Sequence, residues 1–74
     1  MQYDRIGEYI RSERIKQNIG LNNFAFNCGI EPAILSRIEN NKQGIKLDVL
    51  IKIANGFNKT AGEFLLDFER ISHK

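Results

Sequence analysis

The stretch that decides the fold is LNNFAFNCGIEPAILSRIEN, residues 21–40. Apolar residues recur at helical spacing on both sides of Gly29, which stands where a helix terminator with a positive φ is expected. Pro32 suits the first position of a helix, because its missing N–H would have no partner there. The stretch therefore predicts two short helices, 21–28 and 32–40, joined by a tight turn.

Another helix is predicted ahead of this stretch. It begins near Asp4, a suitable N-cap residue, and ends at Asn18. Ile6, Ile10 and the stem of Arg14 recur every four residues, so they share one face of this helix. That face is expected to pack on the two helices that follow.

Two more helices are predicted after a loop through Gly44. One spans roughly 47–56 and is followed by Asn58 in a left-handed conformation. Thr60 and Glu63 form a capping box, in which each side chain accepts a hydrogen bond from the other residue's backbone N–H, so the last helix begins there. The inward side chains expected are Leu47, Leu50, Ile51 and Ala54 in the fourth helix and Phe64, Leu65 and Phe68 in the fifth.

The fold class expected is all-α, with five helices in a single domain over residues 1–74 and a core over about 4–68. The hydrophobic share of 42% is ordinary for a globular protein, and no apolar run approaches the roughly 18 residues of a membrane span. The first residues lack the features of a secretory signal. The lone Cys28 cannot form an internal disulfide, so the reducing cytoplasm is the expected location. One histidine and one cysteine do not make a four-ligand zinc site, and neither a metal nor a cofactor is expected.

Several residues of the 21–40 stretch stand at offsets that suit two crossing helices. Ala25 is small at the point where the helices would cross, and Gly29 follows four residues later in the turn. The apolar residues expected beneath the turn are Phe24, Ile30, Leu35 and Ile38.

This pattern resembles the helix-turn-helix of the phage-repressor (Xre/Cro-type) family, with 32–40 as the recognition helix. The phrase Ser-Arg-Ile-Glu-Asn at 36–40 is similar to the family's habitual Ser-Arg-Ile-Glu-x-Gly, and Leu-Ile-Lys-Ile-Ala at 50–54 is like its fourth helix. The resemblance spans about residues 6–65. It implies a transcriptional regulator, such as a repressor, that binds a double-stranded DNA operator sequence-specifically through the recognition helix.

The resemblance also implies which side chains meet base edges in the major groove. Many relatives place Gln, Arg, Ser or Thr at the first two positions of the recognition helix, where this chain has proline and alanine. Arg37 alone has the two-pronged donor geometry that reads O6 and N7 of guanine. Glu31 is either a helix cap, favoured by the positive end of the helix dipole, or an acceptor for a cytosine amine. The base contacts implied are Pro32, Ala33, Ser36 and Arg37.

Arg14 and Glu39 fall where family members pair an arginine of the first helix with a glutamate that ends the third. The pair would fix the recognition helix to the scaffold by a charge-assisted contact. The alternative is that both are solvated surface charges.

Phosphate contacts are implied on both sides of the recognition helix. A helix N-terminus offers unpaired N–H groups to an anion, and the family often places a glutamine at the position of Leu21. The polar run after the recognition helix suits the DNA backbone, with an ordinary polar loop as the alternative. The phosphate contacts implied are Leu21, Asn22 and Asn23 on one side and Asn40, Lys42, Gln43 and Lys46 on the other.

The end of the fifth helix is more apolar than a solvent-facing terminus needs. Family members commonly dimerise through this region, so a homodimer interface is expected at Leu66, Phe68 and Ile71. Phe26 and Ile45 are also apolar at unusual positions. Each is either tucked into the core or part of an exposed partner-binding patch.

A second function therefore stays open, in which the scaffold is a protein-interaction module such as an antitoxin or antirepressor whose main partner is a protein. The cations near Arg37 favour DNA, whereas the apolar start of the third helix and Phe26 favour a protein. An enzyme has little support, because Cys28 and His73 are the only candidates for thiol–imidazole chemistry and neither suits it.

Overall fold

The computed structural model describes residues 5–72 and forms five helices in that part of the chain, which contains no strand. The predicted all-α fold is confirmed. Asp4, predicted as the first N-cap, lies outside the described residues. Of the described helices, none has the length and apolar character needed to span a membrane. The helices are α1 Ile6–Lys16, α2 Leu21–Cys28, α3 Pro32–Glu39, α4 Leu47–Gly56 and α5 Ala61–Ser72.

The turn between α2 and α3 has the geometry that the sequence predicts. Gly29 ends α2 with a φ of 76°, in the left-handed region that a residue without a Cβ adopts most easily. Pro32 is the first residue of α3. Glu31 occupies the cap position with extended backbone, but its carboxylate makes no capping hydrogen bond in the described chain. The helix start therefore depends on proline and backbone geometry.

The start of α5 is the predicted capping box. The backbone N–H of Thr60 donates to Oε1 of Glu63 at 2.8 Å, and the N–H of Glu63 donates to Oγ1 of Thr60 at 3.1 Å. Asn58, just before it, has the predicted left-handed conformation with a φ of 61°. These two local signals separate α4 from α5.

The core is a continuous apolar cluster with a row of aromatic rings through its centre. Phe24 packs on Phe57 with ring centroids 4.5 Å apart, and Phe57 lies 5.7 Å from Phe64. Tyr9 then contacts Phe64 and Phe68, each at 5.3 Å. The row connects α2 to α5 through Phe57, just after α4, and Tyr9 of α1 packs on the two rings of α5, so these helices are fixed relative to one another.

The predicted inward face of α4 is partly wrong. Leu47 is 69% exposed and Ile51 is 42% exposed, whereas Ile53 is fully buried. Leu50, Ile53 and Ala54 lie at positions i, i+3 and i+4, which form one stripe on a helix. Ile51 lies about 100° around the helix axis from Leu50, outside this stripe. Leu47 is the first residue of α4, so it lies beyond the packed part of the helix.

The predicted place of Phe68 in a dimer interface is also wrong. Its side chain is 2% exposed and packs in the core, because it lies four residues after Phe64 on the same face of α5. Leu66 and Ile71 are 48% and 50% exposed, so they remain available at the surface.

Gly7 allows α1 to approach the C-terminal end of α3 closely. A Cβ at this position would lie 1.9 Å from the carbonyl oxygen of Ile38, which is far inside van der Waals contact. No sequence pattern distinguishes an early helical glycine, so the close approach at Gly7 was not predictable from the sequence. Its effect is to bring α1 against the end of α3.

Candidate nucleic-acid interface

A buried ion pair joins α1 to the last residue of α3. Nε and Nη2 of Arg14 each donate to a carboxylate oxygen of Glu39 at 2.8 Å, and Nη1 donates to the carbonyl of Ile19 at 2.9 Å. Only 10% of the Arg14 side chain and 2% of the Glu39 side chain are exposed. The hydrogen bonds to Glu39 raise the pKa of Arg14. The two residues are therefore buried partners, and the alternative of solvated surface charges is wrong.

The outward face of α3 carries the residues implied as base contacts. Ala33, Ser36, Arg37 and Asn40 lie at positions i, i+3, i+4 and i+7, which places them on one stripe opposite the buried Leu35. Ser36 is half-buried and the other three are exposed, as is Pro32 at the helix start. We call Ala33, Ser36, Arg37 and Asn40 the outer stripe of α3.

Asn40 lies on the outer stripe, next to the residues implied as base contacts. Its side-chain Nδ2 donates to the carbonyl of Ser36 at 2.9 Å and lies 3.4 Å from the Ser36 hydroxyl. The Ser36 carbonyl already accepts the backbone N–H of Asn40 at 3.0 Å, so the side-chain contact adds a second donor and fixes the orientation of the amide. Asn40 is thus placed next to a candidate base contact as well as to the loop.

The chain reverses after α3 because Asn41 adopts a left-handed conformation with a φ of 60°. The N–H of Asn41 donates to the carbonyl of Ile38 at 3.1 Å, and the N–H of Lys42 donates to the carbonyl of Arg37 at 2.8 Å. Asparagine takes the place of the glycine in the family's habitual phrase, and it tolerates this conformation better than most side chains do. The reversal brings the following loop back alongside α3.

The loop contains two exposed lysines and a residue that contacts Arg37. Lys42 and Lys46 are exposed, as implied for phosphate contacts. Gln43 is exposed too, but its Oε1 accepts a hydrogen bond from Nε of Arg37 at 2.6 Å. No sequence signal links residues six apart across a helix end, so the contact between Arg37 and Gln43 was not predictable from the sequence. Gln43 is therefore joined to a candidate base contact.

The start of α2 forms the other flank of the candidate interface. Gly20 before it is extended, with a φ of −69° and a ψ of 157°, and places no side chain over the first turn. Asn22 and Asn23 are exposed, whereas Leu21 is half-buried and packs against the core. Leu21 can therefore offer an anion its backbone N–H but no side-chain contact.

Ile45 and Phe26, which the sequence left as either core or exposed residues, differ in burial. Ile45 is partly buried and packs against the core, whereas Phe26 is 84% exposed on the side of α2 that faces away from it.

Cys28 is buried, and burial raises the pKa of its thiol to about 11. The thiol is consequently protonated at neutral pH and packs as a small apolar group.

Comparisons with known proteins identify the family. A family model described as Helix-turn-helix matches residues 10–64. No curated protein matches the sequence. The fold is similar to that in the crystal structure of the clp gene regulator ClgR from Corynebacterium glutamicum, with a TM-score of 0.74 and 19% sequence identity over 85% of this chain and 67% of the other. Together with the turn at Gly29 and the outer stripe of α3, the match over residues 10–64 shows that the chain belongs to the Xre/Cro-type helix-turn-helix family of DNA-binding transcription regulators.

Proposed function

We propose that this protein recognises a double-stranded DNA operator by placing the outer stripe of α3 in the major groove. The observation that carries the proposal is the contrast between the two sides of α3. Its inner side is fixed to the scaffold by the buried pair of Arg14 with Glu39, while Ala33 and Arg37 are exposed on its outer side. An α-helix fits the major groove, and a rigid helix holds its reading side chains in register with the bases.

The outer stripe offers two kinds of base contact. Arg37 can donate two hydrogen bonds to O6 and N7 of a guanine, which discriminates by about 1–3 kcal/mol against another base. The methyl group of Ala33 can pack on the methyl of a thymine, and Ser36 can donate or accept. Sequence preference is therefore expected to centre on one guanine in each half-site, with weaker preference around it.

The flanks of α3 are proposed to hold the DNA backbone. The exposed N–H groups at the start of α2 lie on one flank, and Lys42 and Lys46 lie on the other. With about four to six phosphate contacts per half-site, log K should fall against log salt concentration with a slope steeper than about −4. Lys42→Ala should weaken binding to all duplexes alike and reduce that slope by about 1.

The test is selection of bound duplexes from a random pool, followed by titration of the selected duplex and its single-base-pair variants. Arg37→Ala should abolish preference at one base pair, whereas Lys42→Ala should leave the preference unchanged and lower every affinity. Identical behaviour of the two variants would contradict the division between base and backbone contacts. A salt slope near zero would contradict the proposed phosphate contacts, and no binding to any duplex at low salt would contradict DNA binding itself.

A homodimer is the proposed binding unit. One module with a single arginine reader covers too few bases for the roughly 10³-fold or greater discrimination that a specific site needs. Leu66, in the middle of α5, and Ile71, near its end, remain as the proposed interface, since both are about half-exposed. Two half-sites about one helical turn apart would then be bound together.

The dimer is tested by sedimentation with an inverted-repeat duplex. The wild type is expected to bind with two protomers per duplex. At the same concentration, Leu66→Glu is expected to bind with one protomer per duplex. Ile15→Glu is the matched control, because Ile15 is similarly exposed, at 53%, but lies on α1. Unchanged stoichiometry in Leu66→Glu, or strictly one wild-type protomer per duplex, would contradict this interface.

Phe26 favours a second candidate function, that of a module which binds a protein. Its ring is 84% exposed, and the eight residues of α2 include no charged side chain. Exposed aromatic rings of this kind are enriched at protein interfaces. Retention on heparin discriminates the two functions, because phosphate binding falls steeply with salt whereas apolar binding does not. Loss of partner binding in Phe26→Ser with intact DNA binding would assign both functions to one domain.

A further inference from the structure

The hydrogen bond between Arg37 and Gln43 joins two side chains that had separate expected roles. Nε of Arg37 donates to Oε1 of Gln43 at 2.6 Å, a short contact for an N–H donor. Both residues are exposed, so the contact lies on the surface that is proposed to meet DNA. In the free protein, Gln43 already accepts a hydrogen bond from the guanidinium.

The backbone after α3 explains why Gln43 lies beside Arg37. The N–H of Lys42 donates to the carbonyl of Arg37 itself, so the loop is tied to the residue whose side chain it contacts. Asn41 supplies the left-handed turn that makes this possible. At the other end of the loop, Ile45 packs against the core. Gln43 is therefore held between two anchors and returns to the helix at a defined place.

The contact uses the edge of the guanidinium that guanine recognition can spare. Nε carries one N–H, and the two terminal nitrogens carry four. With Nε–H bound to Gln43, the terminal nitrogens remain for O6 and N7 of a guanine. A neutral amide achieves this without cancelling the positive charge, which a carboxylate in the same place would do.

We propose that Gln43 is a positioning residue that orients Arg37 for guanine recognition and makes no phosphate contact. This rests on the proposed function of Arg37. An exposed arginine samples many rotamers, and ordering it on DNA reduces the affinity gained from its contacts. Gln43 restricts those rotamers in the free protein, so it strengthens the preference for guanine without itself touching a base.

The first test compares a duplex carrying the preferred guanine with a variant lacking it and with a random duplex. Gln43→Met keeps the length of the side chain but removes the acceptor. It should reduce the preference for guanine by about two- to tenfold, the range expected for ordering one long side chain, with a much smaller change on the random duplex. In an Arg37→Ala background, Gln43→Met should have no further effect on preference. Lys42→Ala is the matched control and should weaken all three duplexes alike.

Equal weakening of all duplexes by Gln43→Met, persisting in the Arg37→Ala background, would show a phosphate contact and overturn the proposal. A second measurement needs no DNA. The Nε–H proton of Arg37 should exchange more slowly with solvent in the wild type than in Gln43→Met, as followed by nuclear magnetic resonance. Equal exchange would overturn the proposal while leaving the proposed function intact. A wild type without preference among duplexes would instead refute the proposed function, and this proposal with it.

Discussion

Arg14→Ala should destabilise the domain more than any exposed substitution, because it leaves the Glu39 carboxylate buried without its partner. The two hydrogen bonds of 2.8 Å to Glu39 are lost, together with the one to the carbonyl of Ile19. The side chain of Glu39 is only 2% exposed, so water cannot readily replace its lost partner. Removing one partner of such a pair costs about 3–5 kcal/mol. The whole free energy of unfolding for 74 residues is about 4–11 kcal/mol, so this one change uses a large share of it.

Urea unfolding followed by circular dichroism measures this effect without the screening that an ionic denaturant introduces. Lys16→Ala is the matched control: it breaks an exposed ion pair on the same helix, and such a pair contributes about 0–1 kcal/mol. The double variant Arg14→Met/Glu39→Leu should be far more stable than the sum of its single variants predicts. A loss of stability in Arg14→Ala no greater than that in Lys16→Ala would contradict a buried ion pair. So would a double variant whose loss equals the sum of the losses in its two single variants.

Three further predictions concern packing and pH. Gly7→Ala should lower the free energy of unfolding in urea by about 1–3 kcal/mol, because its Cβ would lie 1.9 Å from a carbonyl oxygen of α3. Gly62→Ala is the control: its Cβ would lie 3.9 Å from the nearest atom, Oγ1 of Thr60, so it should stabilise α5 by up to about 1 kcal/mol. Phe68→Ala should cost about 3–5 kcal/mol in urea unfolding, while Leu66→Ala should cost less than about 0.5 kcal/mol in the free protein. Burial raises the pKa of Cys28 to about 11 from an ordinary value of 9.0, so the unfolded chain loses its thiol proton first and stability should fall as the pH rises from about 9 to 11. Relative to Cys28→Ala, the wild type should lose at most about 1.4 kcal/mol per pH unit there, and parallel pH profiles would contradict the burial argument.

The helix boundaries were largely predictable from local chemistry. Gly29 and Pro32 constrain φ by their covalent structure, and the capping box of Thr60 with Glu63 satisfies backbone groups within four residues. Such signals depend on near neighbours along the chain, so they survive whatever tertiary packing follows.

The inward faces were less predictable where apolar residues surround a helix. In α4, Leu47, Ile51 and Ile53 are all apolar, so periodicity alone allows more than one stripe to be buried. The helices that pack on α4 determine which stripe is buried. The same holds for Phe68, whose apolar character suits an interface or a core equally until α1 is in place.

The functional surface was predictable as a set of positions but not as a set of contacts. The resemblance implied that Arg37 and Gln43 both face DNA, and both are exposed. Their hydrogen bond depends on the left-handed turn at Asn41 and the return of the loop, which are tertiary features. The close approach at Gly7 is of the same kind, since it is visible only once α1 and α3 are docked.

DNA recognition by α3 is tested most directly by a map of where DNA contacts the protein. Backbone amide resonances of the protein should be followed during titration with a duplex selected from a random pool. If α3 enters the major groove, the largest shifts are expected at residues 32–37, at the first turn of α2 and in the loop 41–46. Shifts confined to Phe26 and α5, with residues 32–37 unperturbed at saturation, would contradict recognition by α3.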